Sequence, residues 1–194
     1  MPSSPFLTRL SVAARRRIRG AATGSLRGVP EMQEDGPMTS PDLPAWPALD
    51  RGYRHSEVSA VVGQGDDAWE RSTDQVLRWG VKTASGFSVD APGAVSVGDR
   101  VLVTAHFLGA RVLEPVQVVA VVQELERVGF AYRTLPGHPV SGEEAFIVHR
   151  DGDEVRLTVR SLTGPASQQP WRTLYPLLLV LQRVVRRRYL RALR

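Results

Sequence analysis

From residue 50 onward the hydrophobic and polar positions fall into regular patterns. Tyr53–Val62 (YRHSEVSAVV) reads as a first strand that ends at Gly63-Gln64-Gly65. The period then changes. Trp69, Thr73, Val76, Leu77 and Trp79 recur at helical spacing, which predicts one helix over about 67–79, with Asp66 or Asp67 as its N-cap and Gly80 as its stop. A long series of strands follows. In VGDRVLVTAHFLG, Val101, Val103, Ala105 and Phe107 alternate with Leu102, Thr104, His106 and Leu108. RVLEPVQVVAVVQELERVG is a second, longer stretch, where Pro115 marks an edge, a bulge or a strand start because it cannot donate to a ladder. GFAYRTL, EEAFIVHR and EVRLTVRSLT come at short intervals, and Asp151-Gly152-Asp153 is a hairpin signal. Val155, Leu157 and Val159 alternate with Arg156, Thr158 and Arg160, as in an antiparallel sheet with one buried face.

The chain ends in QPWRTLYPLLLVLQRVVRRRYLRALR. Leu174, Leu177, Leu178, Leu181, Val184, Val185 and Leu190 make an apolar helical stripe, with Arg183, Arg186, Arg187, Arg191 and Arg194 mostly off it. Proline is tolerated only in the first turn of a helix, so Pro176 predicts a start near 173–175. So apolar a helix must lie on something, and the open face of the sheet is the available partner. The expected class is α+β: a curved antiparallel sheet wrapped on a long C-terminal helix, the helix-grip arrangement, enclosing a cavity.

Composition adds boundaries. The chain has 194 residues, 42% of them hydrophobic, enough for one folded domain with a core. It has no cysteine, which excludes disulfides and thiolate chemistry and fits a cytoplasmic protein. The longest apolar runs, Val118–Val122 and Pro176–Leu181, are far short of the ~20 residues that span a bilayer.

The net charge of +5 is unevenly placed: residues 1–37 carry +3, residues 38–169 carry −5, and residues 170–194 carry +7. A basic pI would suggest nucleic acid, but here the basicity belongs to the ends. LTRLSVAARRRIRGAATGSLRG has the Arg, Ser and Ala content of a transit peptide and lacks the apolar stretch of a secretory signal. It is expected to be a disordered extension, and Met32 and Met38 are alternative starts. Pro37, Pro41, Pro44 and Pro47 make a stiff lead-in. The expected division is an extended basic and Pro-rich segment over 1–49 and one helix-grip domain over 50–194.

No P-loop, G-x-S-x-G or H-E-x-x-H motif is present, and Gly63-Gln64-Gly65 has no βαβ context. The distinctive stretch is FAYRTLPGHPVSGEEAFIVHR, residues 130–150, with two histidines and adjacent glutamates. YRTLPGHPVSGEEAFIV, the upstream GFA, the helix ending in LRW and the terminal RRRYLRAL together resemble uncharacterised protein family 0548, similar to the START, polyketide-cyclase and pollen-allergen superfamily. The resemblance covers roughly residues 50–194. It implies a helix-grip fold and carries no activity to transfer. The chain departs from the family pattern at Arg133, at Gly80-Val81-Lys82 and at Thr163-Gly164-Pro165.

Three readings of residues 130–150 stand, one of them a loop that gates a ligand. A second is chemical: His138 as acid or base, with Glu143 or Glu144 setting its protonation state. Strand alternation turns Glu143 and Glu144 to opposite faces, so at most one of them joins a common site. The third is structural: Pro136-Gly137 sets a turn, Pro139 stiffens its exit and Gly142 permits an unusual backbone angle. A metal would need a third ligand such as His149 or His106. His106 reads as a sheet-face residue, and neither metal nor cofactor is expected. The cavity of a helix-grip domain would be lined by Trp69, Trp79, Phe107, Tyr132, Arg133, His138, Phe146, Leu178 and Leu181, and would take an apolar or amphipathic small molecule or lipid. An enzyme using His138 with Glu143 or Glu144 in that cavity is the alternative. A further alternative is weak contact with an anionic membrane through Arg183, Arg186, Arg187 and Arg191. Apart from Tyr189 those arginines lack interleaved aromatics, which argues against nucleic acid.

Overall fold

The computed structural model describes residues 37–47, 52–91, 93–107 and 110–194; the basic N-terminal extension lies outside the described residues. Seven strands form one antiparallel sheet in the order β1-β7-β6-β5-β4-β3-β2. They are β1 (Arg54–Gln64), β2 (Phe87–Val89), β3 (Arg100–Phe107), β4 (Ala110–Gln123), β5 (Arg127–Thr134), β6 (Val140–Asp151) and β7 (Glu154–Pro165). Two helices, α1 (Gly65–Leu77) and α2 (Gly80–Ala84), connect β1 to β2, and α3 (Trp171–Tyr189) follows β7. This is a helix-grip fold, as the sequence pattern implies.

Strand alternation decides which side chains enter the core. Tyr132 pairs with Glu144, Phe130 with Phe146 and Val128 with Val148, and these residues share the concave face with Val155, Leu157 and Val159. The hairpin expected at Asp151-Gly152-Asp153 forms, with Asp151 paired to Glu154 and Gly152 at φ 61°. Pro115 lies inside β4, opposite Leu102, rather than at a strand end. Its carbonyl accepts from the Leu135 amide just beyond the last β4–β5 pair, Val116 with Thr134. The nitrogen that cannot donate therefore faces the same side, where the β5 ladder has already ended.

Three helix boundaries differ from those expected. Gln64 is the N-cap of α1, without a side-chain bond, and Asp66 and Asp67 sit in the first turn, where their charge favours the positive end of the helix dipole. The helix stops at Leu77. Trp79 takes a left-handed backbone at φ 61°, and Gly80 opens α2 instead of closing α1. A Cβ at Gly80 would lie 2.6 Å from the Gln75 carbonyl oxygen, so only glycine fits this reversal. α3 starts at Trp171, which leaves Pro176 as its sixth residue, inside the helix. Gln169 Oε1 accepts from the Thr173 amide and hydroxyl at 3.3 and 2.9 Å, satisfying donors of the early start.

Residues 37–47 pack against the convex face. Thr39 donates to Glu143 Oε1 through its amide (2.8 Å) and its hydroxyl (2.6 Å). Arg160, 1% exposed, donates to the carbonyls of Thr39, Ser40 and Pro44. Trp46 stacks near His55, with its ring under the Arg160 guanidinium. Residues 37–47 thus belong to the same folded unit as the strands and helices that follow residue 50, where the sequence pattern becomes regular.

Candidate functional site

The concave face of the sheet and α3 bound a cavity of about 320 Å³. Its apolar wall is largely α3, through Leu174, Leu177, Leu178, Leu181 and Val185. Its polar end is built by four other elements. Lys82 comes from α2, Glu114 from β4, His138 from the loop between β5 and β6, and Glu144 from β6.

Lys82 is 3% exposed. Its Nζ lies 3.3 Å from Glu144 Oε2 and 3.7 Å from Glu114 Oε2. Four rings surround the ammonium: Phe87 at 4.6 Å, Tyr132 and Tyr189 at 5.2 Å, and Phe146 at 5.9 Å to the centroid. Ring faces carry negative potential, so the cage offsets part of the cost of burying the charge.

The two glutamates differ in surroundings. Glu144 accepts from the Tyr132 hydroxyl at Oε2 and from the Ser161 hydroxyl at Oε1, 3.0 Å away. Burial alone would raise its pKa, but the Lys82 charge and these hydrogen bonds outweigh burial and hold the carboxyl below its ordinary value. Glu114 accepts from no hydroxyl among the described residues. Burial dominates there and raises its pKa despite Lys82. The Tyr132 and Tyr189 hydroxyls are pushed well above their ordinary range, by burial first and then by Glu144.

His138 is buried and tied to its own loop, with Nδ1 2.9 Å from the Val140 carbonyl oxygen and 3.1 Å from the Val140 amide. Its Nε2 faces Glu114 Oε2 at 4.0 Å. Burial, with the Lys82 charge next, lowers its pKa to about 3, so the ring is neutral at physiological pH. The loop is also the turn the sequence suggested. The His138 amide bonds to the Leu135 carbonyl, Gly137 has φ 104°, and Gly142 has φ 144°.

Of the residues singled out from sequence, Tyr132, His138, Glu144, Leu178 and Leu181 come together around the cavity, and His106, Glu143 and Arg186 also contribute to its lining. Glu143 turns its carboxylate to Thr39 on the convex face, as alternation required. Arg133, paired with Glu143, lies on that same face rather than in the cavity. Trp79 belongs to the core, edge-on to Phe130, and does not line the cavity. Trp69 packs on the core under the Arg150 guanidinium, also away from the cavity. Phe146 is fully buried beneath the Lys82 cage. The Phe107 side chain lies outside the described residues. His106 is exposed and bonds to Ser88, and His149 bonds to Thr158. Lys82 and Glu114 carry no motif, but Glu114 was detectable as a charge in phase with Val116 and Val118.

The model of the family described as Domain of unknown function (DUF1990) matches residues 38–192. A UPF0548 protein of Deinococcus radiodurans is 34% identical over 102 residues, covering 46% of this chain and 51% of that one. The Arabidopsis thaliana UPF0548 protein At2g17695 is 26% identical over 122 residues, covering 59% and 60%. The matched stretches thus span little more than half the length of these relatives. Among solved structures, the hypothetical protein jhp0584 of Helicobacter pylori shares the fold, with a TM-score of 0.51 at 14% identity over 73% of this chain and 84% of that one. The chain belongs to the DUF1990 family.

Proposed function

We propose that this member of the DUF1990 family binds an apolar or amphipathic small molecule or lipid between its sheet and α3. The observation that carries the reading is the cavity itself: about 320 Å³, walled by leucines and valines of α3, with polar groups gathered at one end. Small-molecule sites have this composition, mostly apolar with a few converging polar groups to orient the ligand. The test is native mass spectrometry of the full chain purified from its cells, read against the denatured mass. A bound species of a few hundred daltons is expected, and it should be lost from a folded Leu181→Trp variant. A clean apo mass, with no uptake from a panel of apolar compounds, would count against the reading.

A second reading has its own observation. Val180 on α3 is 51% exposed and takes no part in the cavity lining, while Leu174, Leu177 and Val184 are exposed although they line it. Only Tyr189 of this helix is buried. Arg183 and Arg187 flank the stripe, and residues 170–194 contain seven arginines and no acid. An amphipathic helix of this kind suits the surface of an anionic bilayer. Among the described residues no helix is long and apolar enough to cross a membrane. Sedimentation with phosphatidylserine vesicles should show binding that falls with salt and with Val180→Asp; no binding at low salt dismisses this reading.

A further inference from the structure

Ser85 Oγ in the cavity lining has no hydrogen-bond partner among the described residues; a second unmet position lies between Glu114 and His138, and its geometry restricts what can occupy it. Glu144 is spent, since Tyr132, Ser161 and Lys82 already converge on its two oxygens. Glu114 is not. Its Oε2 lies 3.7 Å from Lys82 Nζ and 4.0 Å from His138 Nε2, both beyond hydrogen-bond length. His138 is fixed through Nδ1 by Val140, which leaves Nε2 turned to Glu114. Both side chains line the cavity. An oxygen placed between them at about 2.8 Å from each would subtend roughly 90°, a workable angle for one hydroxyl.

The chemistry narrows the occupant further. A hydroxyl has one donor and two acceptor sites. It can donate to an unprotonated His138 Nε2 while accepting from a neutral Glu114, or accept from Nε2–H while donating to an ionised Glu114. It therefore satisfies the pair in either tautomer. An ether only accepts, and so does a carboxylate, which would also add negative charge beside Glu144. An ammonium would add a second cation beside Lys82. Besides Glu114, and Glu143 with its carboxylate turned to Thr39, the charged groups of the cavity lining are Lys82 from α2 and Glu144 from β6, paired with each other, and Arg186 and Arg188 from α3. A neutral head group between Glu114 and His138 leaves the Lys82–Glu144 pairing undisturbed.

We propose that the cavity selects apolar molecules ending in one neutral hydroxyl, an alcohol or a phenol, which bridges Glu114 and His138. The inference rests on the cavity reading above and names the ligand class for it. Water makes the same two bonds and is the competitor, so the apolar body must supply the remaining affinity.

The test is calorimetric titration of the full chain with 4-hexylphenol and, separately, with its methyl ether 4-hexylanisole. The phenol should bind about tenfold more tightly, as two hydrogen bonds of ordinary net strength would give. The preference should fall below about threefold in Glu114→Leu and in His138→Leu, with circular dichroism confirming folding. Equal binding of both compounds overturns the inference and leaves the cavity reading intact. Binding of neither overturns both. A preference that survives both substitutions places the hydroxyl elsewhere and also overturns the assignment. If a leucine variant does not fold, Glu114→Ala and His138→Ala replace it under the same criterion, and the wild-type pair of titrations still decides the ligand class.

Discussion

Lys82 Nζ and Glu144 Oε2 lie 3.3 Å apart in the interior, and the same glutamate oxygen accepts the Tyr132 hydroxyl. The pair joins the short helix α2 to the centre of the sheet. Removing one partner strands the other charge away from water, a larger effect than the net worth of the pair. Lys82→Met should therefore destabilise the protein by about 3–5 kcal/mol in urea unfolding. The double variant Lys82→Met with Glu144→Gln should recover more than half of that loss, since it leaves no unpaired charge. A double variant as unstable as the single would show that packing of the lysine stem, not its charge, is what matters.

His138 makes stability depend on acid. Its pKa is about 3 in the folded chain and ordinarily 6.5. Between those values the unfolded chain binds the proton and the folded chain does not, so stability falls as pH drops from about 6.5 toward 3, by on the order of 4–5 kcal/mol at the limit. Lys82, Glu114 and Glu144 are the charged groups that face the ring. Glu114 acts in the opposite sense. Its folded pKa is raised, so its contribution is full below the unfolded value and is lost as pH rises through the folded one. His138→Gln should flatten the urea midpoint between pH 6.5 and 4, and Glu114→Gln should steepen it. Parallel profiles for wild type and His138→Gln would remove the histidine from the account.

Much of this site was legible from alternation alone. Glu143 and Glu144 are adjacent in a strand and go to opposite faces, as the pattern required. Tyr132 and Arg133 were both expected in the cavity; the same alternation excludes one of two adjacent strand residues, and the structure puts Arg133 on the other face. Lys82 was not legible. It lies in a five-residue helix opened by a glycine that otherwise signals a stop, and nothing in GVKTA marks a lysine for burial. Its position follows from the left-handed turn at Trp79, which depends on tertiary packing against Phe130 and Tyr132. The C-terminal helix was visible as an element, but how little of its apolar stripe the sheet covers was not. Helical period reports which residues share a face and not what covers that face.

Gly142 is the residue of the β5–β6 loop region with least room for change. It stands at φ 144°, and an added Cβ would lie 1.9 Å from the Leu162 carbonyl oxygen on β7. That atom is backbone and cannot move aside without separating the strands. Gly142→Ala should cost at least 2–3 kcal/mol, and it should loosen the pairing of Ser141 with Gly164 beside it, visible as faster amide exchange. Gly137→Ala offers a comparison. It shares a left-handed backbone, but its Cβ would meet only the Pro115 ring at 3.5 Å, so the cost should be smaller, about 1 kcal/mol.

The strap formed by residues 37–47 and the cavity lie on opposite faces of the same two strands. Arg160 and Ser161 are neighbours on β7, as Glu143 and Glu144 are on β6. One member of each pair binds the strap and the other fixes the Lys82 cluster. Arg160 holds three strap carbonyls with its guanidinium and is almost fully buried, so its loss leaves those acceptors unmet. Arg160→Met should cost about 2–4 kcal/mol and should make residues 37–47 sensitive to limited proteolysis. Thr39→Val tests the other half of the clamp. It removes one hydroxyl donor from Glu143 and retains the amide bond, so about 1–2 kcal/mol is expected, without release of the strap. Strap protection unchanged in Arg160→Met would mean that Trp46 packing and the Thr39 bonds suffice to hold it. Protection lost in both variants would mean that the two anchors act as one unit.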